Sequence, residues 1–362
     1  MKLTLQIQLL PDREDANRLR ETVERFNDAA NWLAAIACER QTANKIALQR
    51  IAYRDLREQF GLSAQMAIRC IAQVCEAYRR DKSIRPRFRK TAAMPFDQRM
   101  LSFKGVDRVS LLTLGGRILI PFLMGKYQAE RFTHAKGQAD LVLREDGKWF
   151  LLVTVDVPSV APVPTTDFIG VDLGIANIAT DSDGDQHSGK DVDEVRRKHN
   201  LQRKRLQRKD TRGSRKKLRR MSGKESRFRR HQNHVISKTI VEKAKGTGRG
   251  IALEDLKGIR DRITAKGSDA RNRLSGWAFG QLYVFLAYKA ELAGIAVTTV
   301  DPRNTSRTCA ECGHCEKSNR KSQSEFACKA CGHRTHADVN AARNIAFRAQ
   351  GARKTPSELA AV

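Results

Sequence analysis

The sequence predicts a multidomain α+β protein. A small β-barrel is interrupted by a helical lobe, and a second domain of strands and helices follows, with a cysteine ribbon near its end. Three observations predict it. Strand-period residues at 1–9 and across 95–157 bracket a helical stretch. Short apolar strands near 168–180, 250–256 and 296–300 alternate with helical patterns. Two CxxC pairs then lie close together. The 362 residues also exceed what one hydrophobic core usually organises.

The first strand is set by Leu3, Leu5, Ile7 and Leu9 alternating with Thr4, Gln6 and Gln8, and it ends at Pro11-Asp12. From about Asp15 the period turns helical, with Leu19, Val23, Phe26, Ala30 and Leu33 on one face. A second helix carries Leu48, Ile51 and Leu56 up to a break at Gly61. Ser63 is a plausible N-cap for a third, whose face holds Ala67, Cys70, Ile71, Val74 and Tyr78. Cys70 and Cys75 thus read as small core residues. A basic patch, RRDKSIRPRFRK, precedes the strands SFKG, RVSLLTL, GRILIPF, DLVLRE and KWFLLVTVDV. Gly115-Gly116 and Asp146-Gly147 mark hairpin turns between them. The expected domains are a barrel at 1–12 and 95–157, a helical lobe at 13–94 and a Pro-rich linker at 158–166.

The second half opens with FIGVDLGI and ANIATDSDG as a hairpin-like pair. From Arg196 to Arg230 there are 18 Lys/Arg against Asp210 and Glu225 alone. Leu218, Met221, Phe228, Val235, Ile236 and Ile240 form an apolar stripe in this helical stretch. GIALEDL is a short strand ending in acids, Leu274–Gly294 an apolar helix and AVTTV a further strand. A last helix starts near Thr335. The expected divisions are 167–304 for the domain's first part, 305–334 for the ribbon, 335–350 for the last helix and 351–362 for a tail.

Charge narrows the partner. The balance of 68 Lys+Arg against 40 Asp+Glu, a net +28, implies a polyanion. No apolar run is long enough to span a membrane, and the N-terminus reads as a strand rather than a signal peptide. Nucleic acid is therefore the expected partner, the cytoplasm the expected location, and a membrane is not expected. An aromatic content of 6% argues against a single-strand binder built on stacking platforms.

Cys309, Cys312, Cys328 and Cys331 give C-x2-C-x15-C-x2-C, spacing that places four thiolates around Zn2+. Gly313 and Gly332 follow the two pairs and free the knuckle turns. A closed four-sulfur site leaves no open position, so the zinc role is structural. Cys315 and His333 are lower-ranked substitute ligands.

Three acids stand at comparable places on core elements: Asp172 in the first strand after the linker, Glu254 ending GIALE, and Asp338 in the first turn of the last helix. Each alone has a plain alternative. Asp172 could pair with a local cation, Asp255 competes with Glu254, and Asp338 could simply favour the helix dipole. In an RNase H-like sheet the two strands are neighbours and the last helix crosses them, so the three carboxylates converge. Clustered hard oxygen donors suit Mg2+ or Mn2+. Two such ions about 3.5–4 Å apart form the clamp of phosphodiester hydrolysis.

GVDLGIANIAT, IALEDLKGIR, NTSRTCAECG with ACKACG, and ADVNAARNI, in that order, resemble the TnpB (OrfB) family of transposon-encoded RNA-guided endonucleases, relatives of type V CRISPR effectors. ERFNDAANWLA and LLTLGGRILIPF extend the resemblance into the first half, and His336-Ala337 departs from the family's pattern before the last acid. The resemblance implies a wedge-type barrel with an inserted recognition lobe, then a RuvC-like nuclease domain of RNase H fold with the zinc ribbon inserted before its last helix. It implies a guide RNA from the transposon end; the sequence leaves the oligomeric state open, with a monomer bound to RNA favoured. The double-stranded target DNA is cut on both strands by one site beside a short adjacent motif. A type V CRISPR effector, a nuclease-inactive guided repressor and a guide-independent zinc-ribbon DNA-binding protein are the alternatives.

A protein that leaves sequence reading to base pairing needs positive channels for backbones. Arg203, Lys204, Arg205, Arg208, Arg215, Lys216, Arg219 and Arg220 are the first candidates for nucleic-acid contact. Arg85, Arg87 and Arg89, within a patch that also holds Arg79, Arg80, Lys82 and Lys90, are the second.

Overall fold

The computed structural model describes residues 1–133, 135–256, 267, 273 and 277–351, without the side chains of 136 and 137. Two compact units result, Met1–Pro158 and Ser159–Val362.

The first unit is built on a seven-stranded sheet. Its strands are β1 (Lys2–Leu9), β2 (Met94–Phe96), β3 (Leu101–Lys104), β4 (Arg108–Thr113), β5 (Gly116–Leu123), β6 (Ala135–Leu143) and β7 (Trp149–Asp156), in the order β2-β6-β7-β1-β5-β4-β3. β1 pairs antiparallel with both β7 and β5, so the N-terminal strand sits inside the sheet. β3 approaches β6, and the sheet nearly closes on itself. Alternation decides the faces: Ile118, Ile120 and Phe122 of β5 point into the core while Leu119 and Leu123 point out. Gly116, at φ +104°, makes the β4–β5 turn that an L-residue with a Cβ would strain.

Helices α1 (Arg13–Glu39), α2 (Lys45–Glu58) and α3 (Ala64–Arg80) are inserted between β1 and β2. Asp12 caps α1 by accepting from the Asp15 amide, and Ser63 caps α3 by accepting from the Met66 amide. Leu19, Val23, Phe26, Ala30 and Leu33 are buried, as are all five residues expected on the α3 face. Ile51 departs from expectation and is 46% exposed. The buried stripe of α2 is instead Leu48, Ala52 and Leu56, the regular i, i+4, i+8 row. The sequence pattern did not reveal β2 or a seven-residue helix, α4 (Lys126–Phe132).

The second unit holds a five-stranded mixed sheet of β8 (Phe168–Asp172), β9 (Asn177–Asp181), β10 (Gln186–Ser188), β11 (Gly250–Glu254) and β12 (Val297–Val300), ordered β10-β9-β8-β11-β12. β8 pairs antiparallel with β9 and parallel with β11, which pairs parallel with β12. The helices are α5 (Lys190–Lys209), α6 (Arg212–Met221), α7 (Lys224–Thr247), α8 (Phe279–Ala293) and α9 (Ala337–Ala349). The long basic stretch is therefore not one helix. It breaks at Asp210 and at Gly223, both left-handed. On α7 Val235 is 47% exposed, and the buried face runs through Ile236, Ile240, Val241 and Ala244. Residues 257–266, the start of the helix expected at Leu274, and the tail beyond 351 lie outside the described residues.

β8 and β11 are covered on both faces, which is why they read as unbroken apolar runs. Ile169, Val171, Ile251 and Leu253 pack with residues of α7 and α8. Phe168 and Ala252 pack with Ile345 of α9 on the opposite face. Gly170 lies on that second face, and a Cβ there would fall inside the contact radii of the Ala342 carbonyl and the Ala346 amide. A glycine is what lets α9 lie directly against the strand.

Candidate active site

Period-two alternation places the acids. Phe168, Gly170 and Asp172 share the α9 face of β8, and Ala252 and Glu254 share the same face of β11. Val171 pairs with Leu253, so Asp172 and Glu254 come level at the ends of adjacent parallel strands. α9 brings Asp338 to them in its first turn. Asp255, the competitor, is exposed, and its amide is spent on the Val300 carbonyl.

Asp172 feels both of the other acids. Burial first, then the charges of Glu254 and Asp338, push the Asp172 carboxyl up to about 8, against the pull of Arg320. Burial also raises Glu254, opposed by a hydrogen bond from Thr305. Asp338 is only 6% exposed, and its two oxygens have separate partners. Asn177 Nδ2 donates to Oδ2 at 2.9 Å, and Arg320 Nη2 lies 3.4 Å from Oδ1. His336 accepts from the Asp338 amide at 3.2 Å, so the residue that departs from the family pattern serves as the cap of α9.

The donor set is one of hard oxygens, partly withdrawn from water and short of positive charge. That chemistry fits a divalent cation such as Mg2+ or Mn2+. The carboxylate oxygens, unlike the cysteine sulfurs, do not all lie within 4.8 Å of one another. Asn177, Thr305 and Arg320 were not singled out from sequence. Single hydrogen bonds across long separations leave no periodic mark, although Thr305 lies within the NTSRTC run. A cavity of 230 Å³ opens beside Glu254, lined in part by Leu173, Phe279, Tyr283 and Thr299.

The four cysteines form the one group of His, Cys, Asp or Glu, among the described residues, whose ligand atoms all lie within 4.8 Å of one another. Cys309 and Cys331 sulfurs are 3.7 Å apart, and those of Cys312 and Cys328 are 3.6 Å apart. A tetrahedron with Zn–S of about 2.3 Å has an edge of about 3.8 Å, so the cluster fits zinc. The same turn is used twice: Gly313 N donates to Cys309 O, and Gly332 N to Cys328 O. Both glycines have φ near +75°. β13 (Glu325–Ala327) and β14 (Arg334–His336) join the second knuckle to α9. Cys315 is exposed, and neither it nor His333 joins the cluster. In the first unit Cys70 is buried and its thiol is pushed up to about 12 by that burial, which suits a core residue.

The basic candidates are all exposed. Arg203, Lys204, Arg205 and Arg208 lie on α5, and Arg215, Lys216, Arg219 and Arg220 on α6. Two have acidic neighbours: Arg203 lies 3.8 Å from Glu225, and Arg215 chelates Asp210 at 2.9 Å. Arg85, Arg87 and Arg89 sit on an irregular segment that α1 fixes in place. Asn31 exchanges two 2.8 Å hydrogen bonds with the Phe88 backbone, and Asn27 donates to the carbonyls of Lys90 and Ala92. No helix among the described residues is long and apolar enough to cross a membrane.

Comparison with known proteins gives two family matches. Residues 150–257 match the OrfB family model described as "Probable transposase", and residues 279–345 match "Cas12f1-like, TNB domain". InsQ of Escherichia coli strain K12, which carries an RNA-guided DNA endonuclease name, is 31% identical over 71% of this chain and 69% of its own. The CRISPR-associated endodeoxyribonuclease Cas12f1 of Sulfoacidibacillus thermotolerans is 34% identical over 64% of this chain and 56% of its own. A TnpB-like protein of Methanocaldococcus jannaschii is 35% identical over 36% of this chain and 46% of its own. The chain spans about half the length of the Cas12f1 relatives it matches.

Proposed function

The chain belongs to the TnpB (OrfB) family, and from that premise we propose that it is an RNA-guided, divalent-metal-dependent endonuclease of double-stranded DNA. The observation that carries the reading is that Asp172 and Glu254 end adjacent parallel strands on the face that α9 covers, with Asp338 of α9 near enough to act on the Asp172 charge. In this reading that unit is a RuvC-like domain of RNase H fold with the ribbon inserted before α9. The nearly closed sheet of the first unit is the wedge-type barrel, and α1–α3 are the recognition lobe. A single site serves both DNA strands in turn.

Asp172, Glu254 and Asp338 would hold Mg2+ or Mn2+, which when bound supplies an activated water and charge stabilisation at the leaving oxygen. The chain's own residues do the rest. Asn177 fixes one Asp338 oxygen and Thr305 one Glu254 oxygen. Arg320 lies at the other Asp338 oxygen, where its charge also reaches Asp172. Cys309, Cys312, Cys328 and Cys331 would hold a structural zinc that sets the fold of the segment carrying Arg320. The guanidinium and ammonium groups of α5 and α6 meet the backbone of a guide RNA or its heteroduplex with DNA.

The match of 279–345 to a Cas12f1-like domain favours a second reading, a small type V CRISPR effector with the same chemistry. A repeat array or transposon ends in the flanking DNA distinguish the two. The test of the nuclease itself is Asp172→Ala, assayed with the RNA that co-purifies and a DNA matching its variable end. Cleavage is expected to fall by at least about 10³-fold, about 4 kcal/mol of barrier, with target binding within a few-fold of wild type. Retained cutting removes Asp172 from the chemistry.

A further inference from the structure

The two acids on separate elements, Glu254 at the end of β11 and Asp338 on α9, are joined by one residue that belongs to neither. Thr305 lies in the segment leading into the first zinc knuckle and is 3% exposed. Its hydroxyl is 2.6 Å from Glu254 Oε1 and 3.0 Å from the Pro302 carbonyl. Its own carbonyl accepts from Asn344 Nδ2 of α9 at 2.8 Å. Asn344 Nδ2 also reaches the Thr308 carbonyl at 2.7 Å. One turn earlier, Asn340 donates to that same carbonyl at 2.7 Å and accepts from the Ala310 amide at 3.0 Å. Asn340 and Asn344 are 0% and 6% exposed.

Two buried amides on a helix interior are costly unless they are fully used. Here they clamp residues 305–310 along α9, six positions and less from Asp338. The hydroxyl then carries that clamp across to β11.

We infer that Thr305 is a positioning residue: through its hydroxyl it holds Glu254 in register with the helix bearing Asp338. The lead-in to the ribbon, and not the sheet alone, thereby sets how the acids face a divalent cation. A carboxylate with one oxygen fixed by a hydroxyl presents the other in a single direction. Without the hydroxyl the side chain turns freely and meets a cation less often in the right pose. Groups that orient metal ligands in this way change metal affinity by about 10- to 100-fold when removed. The inference rests on the acids being the cation site proposed above.

The test is a Mn2+ titration of the purified full-length chain, followed by the electron paramagnetic resonance signal of free Mn2+. Thr305→Val keeps the shape and loses the hydroxyl, and is expected to weaken Mn2+ binding by about 10-fold. Thr305→Ser restores the hydroxyl and is expected to bind within about two-fold of wild type. Zinc content should be equal in all three proteins. Should the valine chain fold poorly, Thr305→Ala carries the same expectation. A valine or alanine variant that titrates like wild type overturns the inference, and so does a serine variant as weak as they are. The variant Asp172→Asn with Glu254→Gln and Asp338→Asn is the reference. If it binds Mn2+ as wild type does, the cation site itself is elsewhere, and the reading of the acids falls first.

Discussion

Gly170 shows what one missing side chain contributes. It stands two residues before Asp172 on the face that α9 covers, and there is no room for a methyl group between them. Gly170→Ala should push α9 away and cost about 1–3 kcal/mol, the usual range for overpacking. A thermal melt reads the loss. Cleavage should drop more than target binding, because the displaced helix carries Asp338. Equal losses in both would mean that the helix moves without disturbing the acids. Asp172 was legible in the sequence because a carboxylate in an apolar strand demands a partner. Gly170 was not, since a glycine in FIGVD gives no hint of which helix approaches it. Thr305, Asn340 and Asn344 were hidden for the same reason: their partners are 30 to 51 positions away.

At the scale of elements, the loop between β9 and β10 depends on α7. Lys243 of α7 reaches Asp181 at 2.5 Å, Asp185 at 2.8 Å and Asp183 at 2.9 Å, and Arg249 grips Asp183 at 2.6 Å. Hydrogen bonds from Arg249, and then from Lys243, hold the Asp183 carboxyl well below the usual carboxylate range, although burial opposes them. The stabilisation is therefore complete above the ordinary aspartate value of about 4. It is lost as pH falls through the depressed native value. Asp183→Asn should lower stability by a constant amount above about pH 5, with the gap to wild type closing as pH falls below about 4. Denaturant midpoints at several pH values check it. The gap should be modest, because Asp183 is 36% exposed. Strands and hairpins were legible from alternation and glycine pairs. The three-residue β2 and β10 and the seven-residue α4 are too short to show a period. The break of the basic helices was missed because Asp210 carries a left-handed conformation that its identity does not announce.

For the whole molecule, the proposed reading joined to an excess of 28 positive charges makes nucleic-acid affinity a function of salt. Replacing Lys204, Arg205, Lys216 and Arg220 with alanine should reduce the slope of log affinity against log salt by roughly 3, if each meets one single-stranded phosphate. Binding of the co-purified RNA across a salt series measures it. An unchanged slope would place the RNA elsewhere, with Arg85, Arg87 and Arg89 the next candidates. Composition implied a polyanion, and it could say no more, because charge has no address until the helices are folded.

The place of α9 along the chain has a consequence for biosynthesis. It is made after every other described element, yet it covers the middle of the second unit's sheet and brings the third acid. A polypeptide still emerging from the ribosome therefore has β8 bare on one side and two carboxylates with no third. On the proposed reading the cation site is incomplete until α9 has docked, so a product truncated before Ala337 should not cleave DNA.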